Sequence, residues 1–167
     1  MTVTERITAL RKQMKEKGID AYLVPTDDFH GSEYVGDYFK CRKYITGFTG
    51  SAGTAVITLD EAGLWTDGRY FVQAENQLKD STVTLYRMGE EGVPTVDEFV
   101  KDRLKEGGCL GFDGRVVNGT WGGKLEKIAA EKKVSMHVTE DLIDLIWEDR
   151  PALSKQPLFI LEEKYSG

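Results

Sequence analysis

The chain has 167 residues, of which 40% are hydrophobic and 30% charged, a composition typical of one globular domain with its own core. Its formal net charge of -6 at pH 7 argues against nucleic acid as a partner, because binding to a phosphate backbone needs clustered positive charge. No apolar run approaches the roughly 20 residues of a membrane span, and the N-terminus lacks the pattern of a signal peptide. We therefore expect a cytoplasmic protein without membrane contact.

The first part of the chain predicts a helix, a strand and a long polar loop. In TVTERITALRKQMKEKG, apolar residues recur at helical spacing, namely Ile7, Leu10 and Met14. Thr2 or Thr4 can cap the start of this helix, and Gly18 fits its end. AYLVP then predicts a short strand that ends at Pro25. In the polar loop that follows we expect a helical turn around residues 32–38.

The middle of the chain predicts a hairpin followed by a second helix, a strand and a third helix. GTAVITL and GLWTD form the hairpin, RYFVQAENQL the second helix and TVTLYRM the strand. The third helix, PTVDEFVKDRLKEGG, has the clearest boundaries. Pro94 precedes it, Thr95 and Glu98 match a capping box, and Gly107 fits its end.

The remaining segments continue the alternation of strands and helices. CLGFD predicts a strand, NGTWGGKLEKIAAEKK a helix, VSMHV a strand and EDLIDLIWED a helix capped by Thr139. Such alternation with one early hairpin indicates an α/β domain over residues 1–150, with a mixed sheet covered by helices. After Pro151 and Pro157 comes the apolar segment LFILEEKYSG. We expect residues 151–167 to be a linker and the first strand of a second domain that this chain lacks.

Cysteine and histidine are scarce, which limits the chemistry that this chain can perform alone. Cys41 and Cys109 are predicted to be free buried thiols, although the sequence leaves a disulfide between them open. His30 and His137 are the only histidines, and no H-E-x-x-H or similar set is present. We therefore predict no metal site and no catalytic residue here.

The glycine-rich segment GFTGSAG, residues 47–53, is the most distinctive candidate site and is called the glycine loop below. A P-loop needs a lysine after its last glycine, and a dinucleotide fingerprint must lead into a helix. A nucleophile elbow needs glycine two positions before the serine, where this chain has Thr49. Two interpretations stay open. The loop is a tight turn that lets two backbones approach closely, or it presents Phe48, Thr49 and Ser51 to a shared cleft.

Three segments together resemble the N-terminal region of the three-domain Xaa-Pro aminopeptidases, namely VPTDDFHGSEYVGDYFKCRKYITGFTGSAGTAVIT, LWTDGRYFVQAENQL and RPALSKQPLFILEEKYSG. This resemblance implies a domain of the creatinase/prolidase N-terminal type. Its fold is three-layer α/β, with a mixed, roughly six-stranded sheet flanked by helices in a ribonuclease-H-like layout. The resemblance also implies a parent enzyme that removes the N-terminal residue preceding a proline. Two divalent metals, usually manganese, lie in a C-terminal domain that is absent from this chain.

In such enzymes the N-terminal domain walls the active-site cleft and assists oligomerisation, which implies a homodimer of the parent. The resemblance makes seven residues candidates for contact with substrate, namely His30, Phe48, Thr49, Gly50, Ser51, Arg69 and Tyr70. Two functions of other classes stay open. One is a self-sufficient small-molecule binding module that uses the glycine loop, and the other is a dimerisation scaffold without a catalytic role.

Two of the candidates have structural alternatives. Arg69 can bind a peptide carboxylate or carbonyl, because the guanidinium fork suits such acceptors. Alternatively, Asp67 caps the helix that follows and braces the turn together with Arg69. His30, with Ser32, Glu33 and Tyr34, offers acid–base groups or forms a hydrogen-bonded loop beside the first strand.

Overall fold

A six-stranded mixed sheet lies at the centre of the computed structural model, which describes residues 1–165. Its strands in chain order are β1 (Ala21–Pro25), β2 (Thr54–Thr58), β3 (Ala62–Thr66), β4 (Thr84–Arg87), β5 (Cys109–Phe112) and β6 (Ser135–His137). Across the sheet they follow the order β4-β3-β2-β1-β5-β6. The pairs β3–β4, β1–β5 and β5–β6 are parallel, whereas β2 is antiparallel to both β1 and β3. Every strand except β2 therefore points the same way.

Helices cover both faces of this sheet. They are α1 (Val3–Lys17), α2 (Cys41–Thr46), α3 (Phe71–Leu78), α4 (Val96–Arg103) and α5 (Gly119–Lys132), and 3-10 turns occupy Asp37–Phe39, Gly114–Val116 and Glu163–Tyr165. The first three helices contribute to one apolar core, and α4 and α5 contribute to a second core on the opposite face. The predicted three-layer α/β fold with a mixed sheet is confirmed.

Strand β1 is apolar at every position because both of its faces are buried. Tyr22 and Val24 belong to the core beneath α1–α3, whereas Ala21 and Leu23 belong to the core beneath α4 and α5. Side chains alternate between the two faces of a strand, and here both faces are covered. Full burial of a large apolar side chain contributes roughly 1.5–3 kcal/mol, so this central strand is a strong determinant of the fold.

Local capping chemistry sets several helix boundaries as predicted. The Thr2 hydroxyl accepts a hydrogen bond from the Glu5 N–H, and the Thr2 N–H donates to the Glu5 carboxylate at 2.7 Å. Gly18 ends α1 with φ 67°, a left-handed conformation that suits glycine. The predicted capping box at the start of α4 also forms. The predicted end of α4 is wrong, because the helix stops at Arg103 and Gly107 lies in the next turn.

The predicted helix EDLIDLIWED is also wrong. Residues 142–146 form a turn instead, and Thr139 is not a cap. The Asp141 carboxylate accepts from the Ile143 N–H at 2.9 Å, and the Leu142 N–H donates to the Tyr22 hydroxyl at 2.9 Å. Side chains that capture backbone donors in this way compete with helix formation. In the polar loop, the predicted helical turn lies further along the chain, at Asp37–Phe39.

The C-terminal segment does not form the predicted strand within the described residues. Residues 151–162 have no regular secondary structure, and residues 166–167 of the prediction lie outside the described part of the chain. Leu158, Phe159 and Ile160 are at least 84% exposed. A strand needs a partner for its backbone groups, and none is paired with this segment in residues 1–165. Its assignment to a second domain stays a prediction.

Two further sequence predictions concern the cysteines and the membrane. Cys41 and Cys109 are both free thiols, as predicted, with Cys109 buried and Cys41 partly buried. Within residues 1–165, every helix is too short or too polar to cross a lipid bilayer.

Candidate functional site

The shared strand direction brings most of the candidate residues to one edge of the sheet. The carboxyl ends of β1, β3 and β4 lie at this edge, beside the amino end of β2. The glycine loop leads into β2, Asp67 follows β3, and the loop that carries His30 follows β1. In open α/β sheets, ligands bind beyond the carboxyl ends of the strands. We therefore treat this edge as the candidate site.

Arg42, on the short helix α2, binds the backbone of the glycine loop. Its side chain is buried, and Nε donates to Thr26 Oγ1 at 2.9 Å while Nη1 donates to the Phe48 carbonyl at 2.6 Å. Nη2 donates to the Gly50 carbonyl. Burial lowers the pKa of Arg42 to about 10. Among residues 1–165 this guanidinium has no carboxylate partner, so its charge is balanced only by neutral oxygens.

The glycine loop also binds helix α3 and Tyr70, the residue that precedes this helix. Thr49 donates its N–H to Gln77 Oε1 at 2.9 Å. Its hydroxyl accepts from Gln73 Nε2 at 2.9 Å and from Gln77 Nε2 at 2.8 Å. The Ser51 hydroxyl lies 2.6 Å from the Tyr70 hydroxyl. The loop is therefore fixed from both sides, while the Thr49 and Ser51 residues stay exposed.

Phe48 does not face a cleft, so that part of the prediction is wrong. It has 0% exposure and packs edge-on against the Tyr70 ring at a centroid distance of 5.9 Å. A Cβ at Gly50 would lie 2.3 Å from the Phe48 ring, and one at Gly53 would lie 2.9 Å from the Trp65 carbonyl oxygen. The glycines thus permit close approach. The loop combines a tight turn with two exposed hydroxyl side chains.

Asp67 and Arg69 form a brace at the end of β3. Arg69 donates from Nε and Nη2 to the two carboxylate oxygens of Asp67, both at 2.8 Å, and its N–H donates to the same carboxylate at 3.1 Å. These hydrogen bonds lower the pKa of Asp67. The prediction that Asp67 caps a helix is wrong, because α3 begins at Phe71 and Tyr70 occupies its N-cap position. Contact of Arg69 with substrate stays a prediction.

The loop that carries His30 is organised by Asp28. Asp28 Oδ1 accepts from the His30 N–H at 2.8 Å and from the Ser32 N–H at 3.1 Å, and hydrogen bonds from Ser32 are the main reason that the pKa of Asp28 is lowered. Glu33 and Tyr34 are exposed. The predicted hydrogen-bonded loop exists, but its centre is Asp28. A role for His30 toward substrate stays a prediction.

A cavity of about 290 Å³ separates the glycine loop from the segment that precedes it, and we call it the rim cavity. The glycine loop contributes Thr49, Gly50 and Ser51 to its lining, and the preceding residues contribute Thr26, Glu33, Tyr34, Val35, Phe39, Lys40, Arg42 and Lys43. Sequence reasoning missed Arg42 and Lys43. Their only signal is the placement of basic residues in the short segment just before the glycine loop.

A second buried arginine joins the end of the domain to this segment. Arg150 donates from Nη1 to Asp141 at 2.6 Å and from Nε to the Tyr38 carbonyl at 3.0 Å. Its Nη2 also contacts Cys41 Sγ at 3.0 Å. Burial raises the pKa of the Cys41 thiol to about 12. Residues near the C-terminal end of the domain therefore help to position one wall of the rim cavity.

The described residues do not form a metal centre. Across residues 1–165, no group of three or more His, Cys, Asp and Glu side chains is placed to hold a metal ion. A two-metal centre needs several such ligands around each ion. We therefore assign no chemical step of a metal-bound reaction to the residues of this chain.

These features define a three-layer α/β domain whose glycine loop and exposed polar groups meet at one sheet edge. Residues 6–146 match the model of the Creatinase/Prolidase N-terminal domain, and the chain belongs to this family.

The chain is similar to Aminopeptidase P2 of Arabidopsis thaliana, with 42% identity over all of this chain and 24% of that protein. It is similar to the crystal structure of the X-prolyl aminopeptidase of Caenorhabditis elegans, a cytosolic enzyme with a di-nuclear active site. The TM-score is 0.88 at 35% identity, over 97% of this chain and 28% of that one. An N-terminal creatinase/prolidase-like domain from Corynebacterium diphtheriae matches with a TM-score of 0.58 and 26% identity, over 81% of this chain and 94% of that one. These likenesses confirm the family, and the chain spans about a quarter of the length of the aminopeptidases named here.

Proposed function

We propose that this chain is the N-terminal, non-catalytic domain of a cytoplasmic, metal-dependent Xaa-Pro aminopeptidase, and that its glycine loop walls the active-site cleft. The support is the match to Xaa-Pro aminopeptidases over about a quarter of their length, together with the di-nuclear site described for the worm relative. In this proposal two divalent metals, manganese by preference, and the groups that cleave the peptide belong to the part of the parent beyond this chain. The parent acts as a homodimer on peptides with proline second.

The rigid glycine loop is the observation that carries the proposal. A cleft wall contributes to selectivity only if its contacts are held in place before substrate arrives. Arg42 donates hydrogen bonds to the Phe48 and Gly50 carbonyls, and the Gln77 side chain accepts one from the Thr49 N–H. These contacts hold the loop backbone in place. Thr49 and Ser51 are exposed, and beyond their contacts with Gln73, Gln77 and Tyr70 their hydroxyls retain hydrogen-bonding capacity for the backbone of a peptide. In this proposal the loop recognises and confines substrate, while the chemistry occurs elsewhere.

The direct test uses the protein encoded by the complete reading frame that contains this chain. We expect it to release the first residue from Xaa-Pro peptides, and not from matched Xaa-Ala peptides, in a reaction that chelators stop and Mn²⁺ restores. Ser51→Ala should raise KM or relax the limit on substrate size, with about a 2- to 10-fold change in kcat/KM, the range expected for one hydrogen bond. Metal content should not change in this variant.

Lys127→Gln is the matched control, because Lys127 is exposed on α5, which packs on the opposite face of the sheet. Its kinetics should equal those of the unmodified protein. In a separate experiment, the 167-residue chain alone with Mn²⁺ and an Xaa-Pro peptide should yield no product. Turnover by the pure chain would refute the proposal. A thermal shift of the chain with a nucleotide or free amino acid would instead support an independent binding module.

A further inference from the structure

The rim cavity carries an excess of positive charge. Lys40, Arg42 and Lys43 line it, and Glu33 is the one carboxylate among its lining residues. The chain as a whole has a formal net charge of -6, so the charge at the cavity is opposite in sign to the net charge of the chain. A recess lined by one sign of charge concentrates ligands of the opposite sign.

The three cations differ in how far their charge is already neutralised. Lys40 forms an ion pair with Asp37. Arg42 donates only to uncharged oxygens, and the exposed Lys43 makes neither an ion pair nor a hydrogen bond with the described residues. Neither Arg42 nor Lys43 therefore forms a close ion pair among residues 1–165, although the Asp37 carboxylate, bound to Lys40, also interacts with Lys43 at longer range. Of the two, only Arg42 is buried. A buried charge without a carboxylate partner is costly, and an anion in the cavity would reduce that cost.

The glycine loop adds a backbone donor at Ser51, which lines the rim cavity. The Gly50 carbonyl accepts from Arg42, and all peptide bonds are trans, so the N–H of Ser51 points away from Arg42. This N–H donates to none of the described residues. The Ser51 hydroxyl is exposed beside it. Hydrogen bonds from backbone N–H groups to anions are among the stronger ones in proteins.

We propose that the rim cavity is a subsite for a carboxylate of the peptide substrate, with Lys43 as the exposed cation and the Ser51 N–H as a hydrogen-bond donor. The inference rests on the proposed function, because it concerns peptides held by the same cleft wall. The carboxylate is either the C-terminus of a short peptide or an Asp or Glu side chain of a longer one. The subsite therefore gives the enzyme a preference for acidic substrates.

The test compares matched peptides with the full-length protein. One pair is an Xaa-Pro tripeptide as the free acid and as the C-terminal amide, and the other is a longer Xaa-Pro peptide with Glu or Gln at one position. We expect kcat/KM to favour the acid by about three- to fivefold, the scale of a solvent-accessible ion pair. The preference should fall at about 0.5 M salt, where such pairs are screened. A preference confined to one pair identifies which carboxylate binds.

Lys43→Gln should abolish the preference, and Lys127→Gln should preserve it. Equal use of acid and neutral peptides, or an unchanged preference in Lys43→Gln, would overturn the subsite while leaving the aminopeptidase proposal intact. Peptide affinity measured by calorimetry gives the same comparison without turnover. If the protein binds the acids more tightly but cleaves no Xaa-Pro peptide, the subsite stands and the proposed function fails. Equal affinities within both pairs, acid against amide and Glu against Gln, would refute the subsite in either case.

Discussion

Replacement of Arg150 by methionine tests whether the end of the domain stabilises the wall of the rim cavity. The side chains of Arg150 and Asp141 are each only 6% exposed, and their closest atoms are 2.6 Å apart. Methionine keeps much of the apolar stem but removes the charge, so Asp141 remains as a buried carboxylate without its cation. Loss of one partner of a buried pair costs about 3–5 kcal/mol. We expect the free energy of unfolding to fall by that amount.

A double-mutant cycle separates the pair from other effects of the change. We expect Arg150→Met combined with Asp141→Asn to cost about 2 kcal/mol less than the sum of the two single changes, because the double variant leaves no unpaired buried charge. Urea unfolding followed by circular dichroism measures each term. The exposed pair Lys101–Glu131, whose side chains are 45% and 61% exposed, provides the control cycle. Its coupling should stay within about 0–1 kcal/mol.

Two results would refute this reasoning. One is a coupling energy for Arg150 and Asp141 no larger than that of the surface pair, which would mean that the buried contact contributes no more than a solvated one. The other is full stability in Arg150→Met alone. Amide hydrogen exchange gives a local check, because Arg150 also binds the Tyr38 carbonyl. Exchange in residues 33–43 should accelerate in Arg150→Met and stay unchanged in Lys101→Gln.

The remaining predictions concern the glycine loop and its surroundings. Gly50→Ala should destabilise the fold by about 1–3 kcal/mol in urea unfolding, because its Cβ overlaps the buried Phe48 ring. Gly119→Ala, which has open space, should stabilise it by about 0.4–1 kcal/mol; the same sign for both would contradict the packing argument. Arg42→Lys should speed amide exchange across residues 47–53, because one ammonium cannot serve three separated oxygens; unchanged exchange would show that the loop holds itself. The pKa of Cys41 is raised from 9.0 to about 12 by burial, so the folded state retains a proton that the unfolded state loses. Stability present below pH 9 should fall by about 1.4 kcal/mol at pH 10, and Cys41→Ala should remove that slope in unfolding measured from pH 8 to 10.

Local chemistry explains which elements could be predicted from the sequence. The boundaries of α1 depend on Thr2, Glu5 and Gly18, all within the helix or next to it, so a short stretch of sequence contains the information. The turn at residues 142–146 depends on a hydroxyl from β1. The Tyr22 side chain binds the N–H of Leu142, 120 positions away. An amphipathic pattern cannot reveal such a contact, because competition between side chain and helix for the donor arises only after folding.

In the candidate site, too, the local features could be predicted from the sequence and the contacts between distant residues could not. The glycine loop could be recognised from the sequence because close packing at Gly50 and Gly53 requires glycine at these positions. The burial of Phe48 leaves none, since an aromatic residue between loop glycines is compatible with either exposure or burial. Its ring is covered by Tyr70 and by the Arg42 guanidinium, which lies 4.7 Å from the ring centroid. Both contacts join separate elements, so residue types in the loop alone do not predict them.

Arg42 was missed for a more specific reason, and that reason bears on how the site works. Its acceptors in the glycine loop are the backbone carbonyls of Phe48 and Gly50, which every residue type supplies. A backbone contact places no demand on loop side chains, so no pattern in the sequence records it. It follows that α2 holds the loop through its backbone, while the side chains of Thr49 and Ser51 bind Gln73, Gln77 and Tyr70 and lie in the exposed part of the loop. Changes at those two positions should therefore alter substrate selection while the contacts of Arg42 with the loop backbone stay in place, which separates the two contributions experimentally.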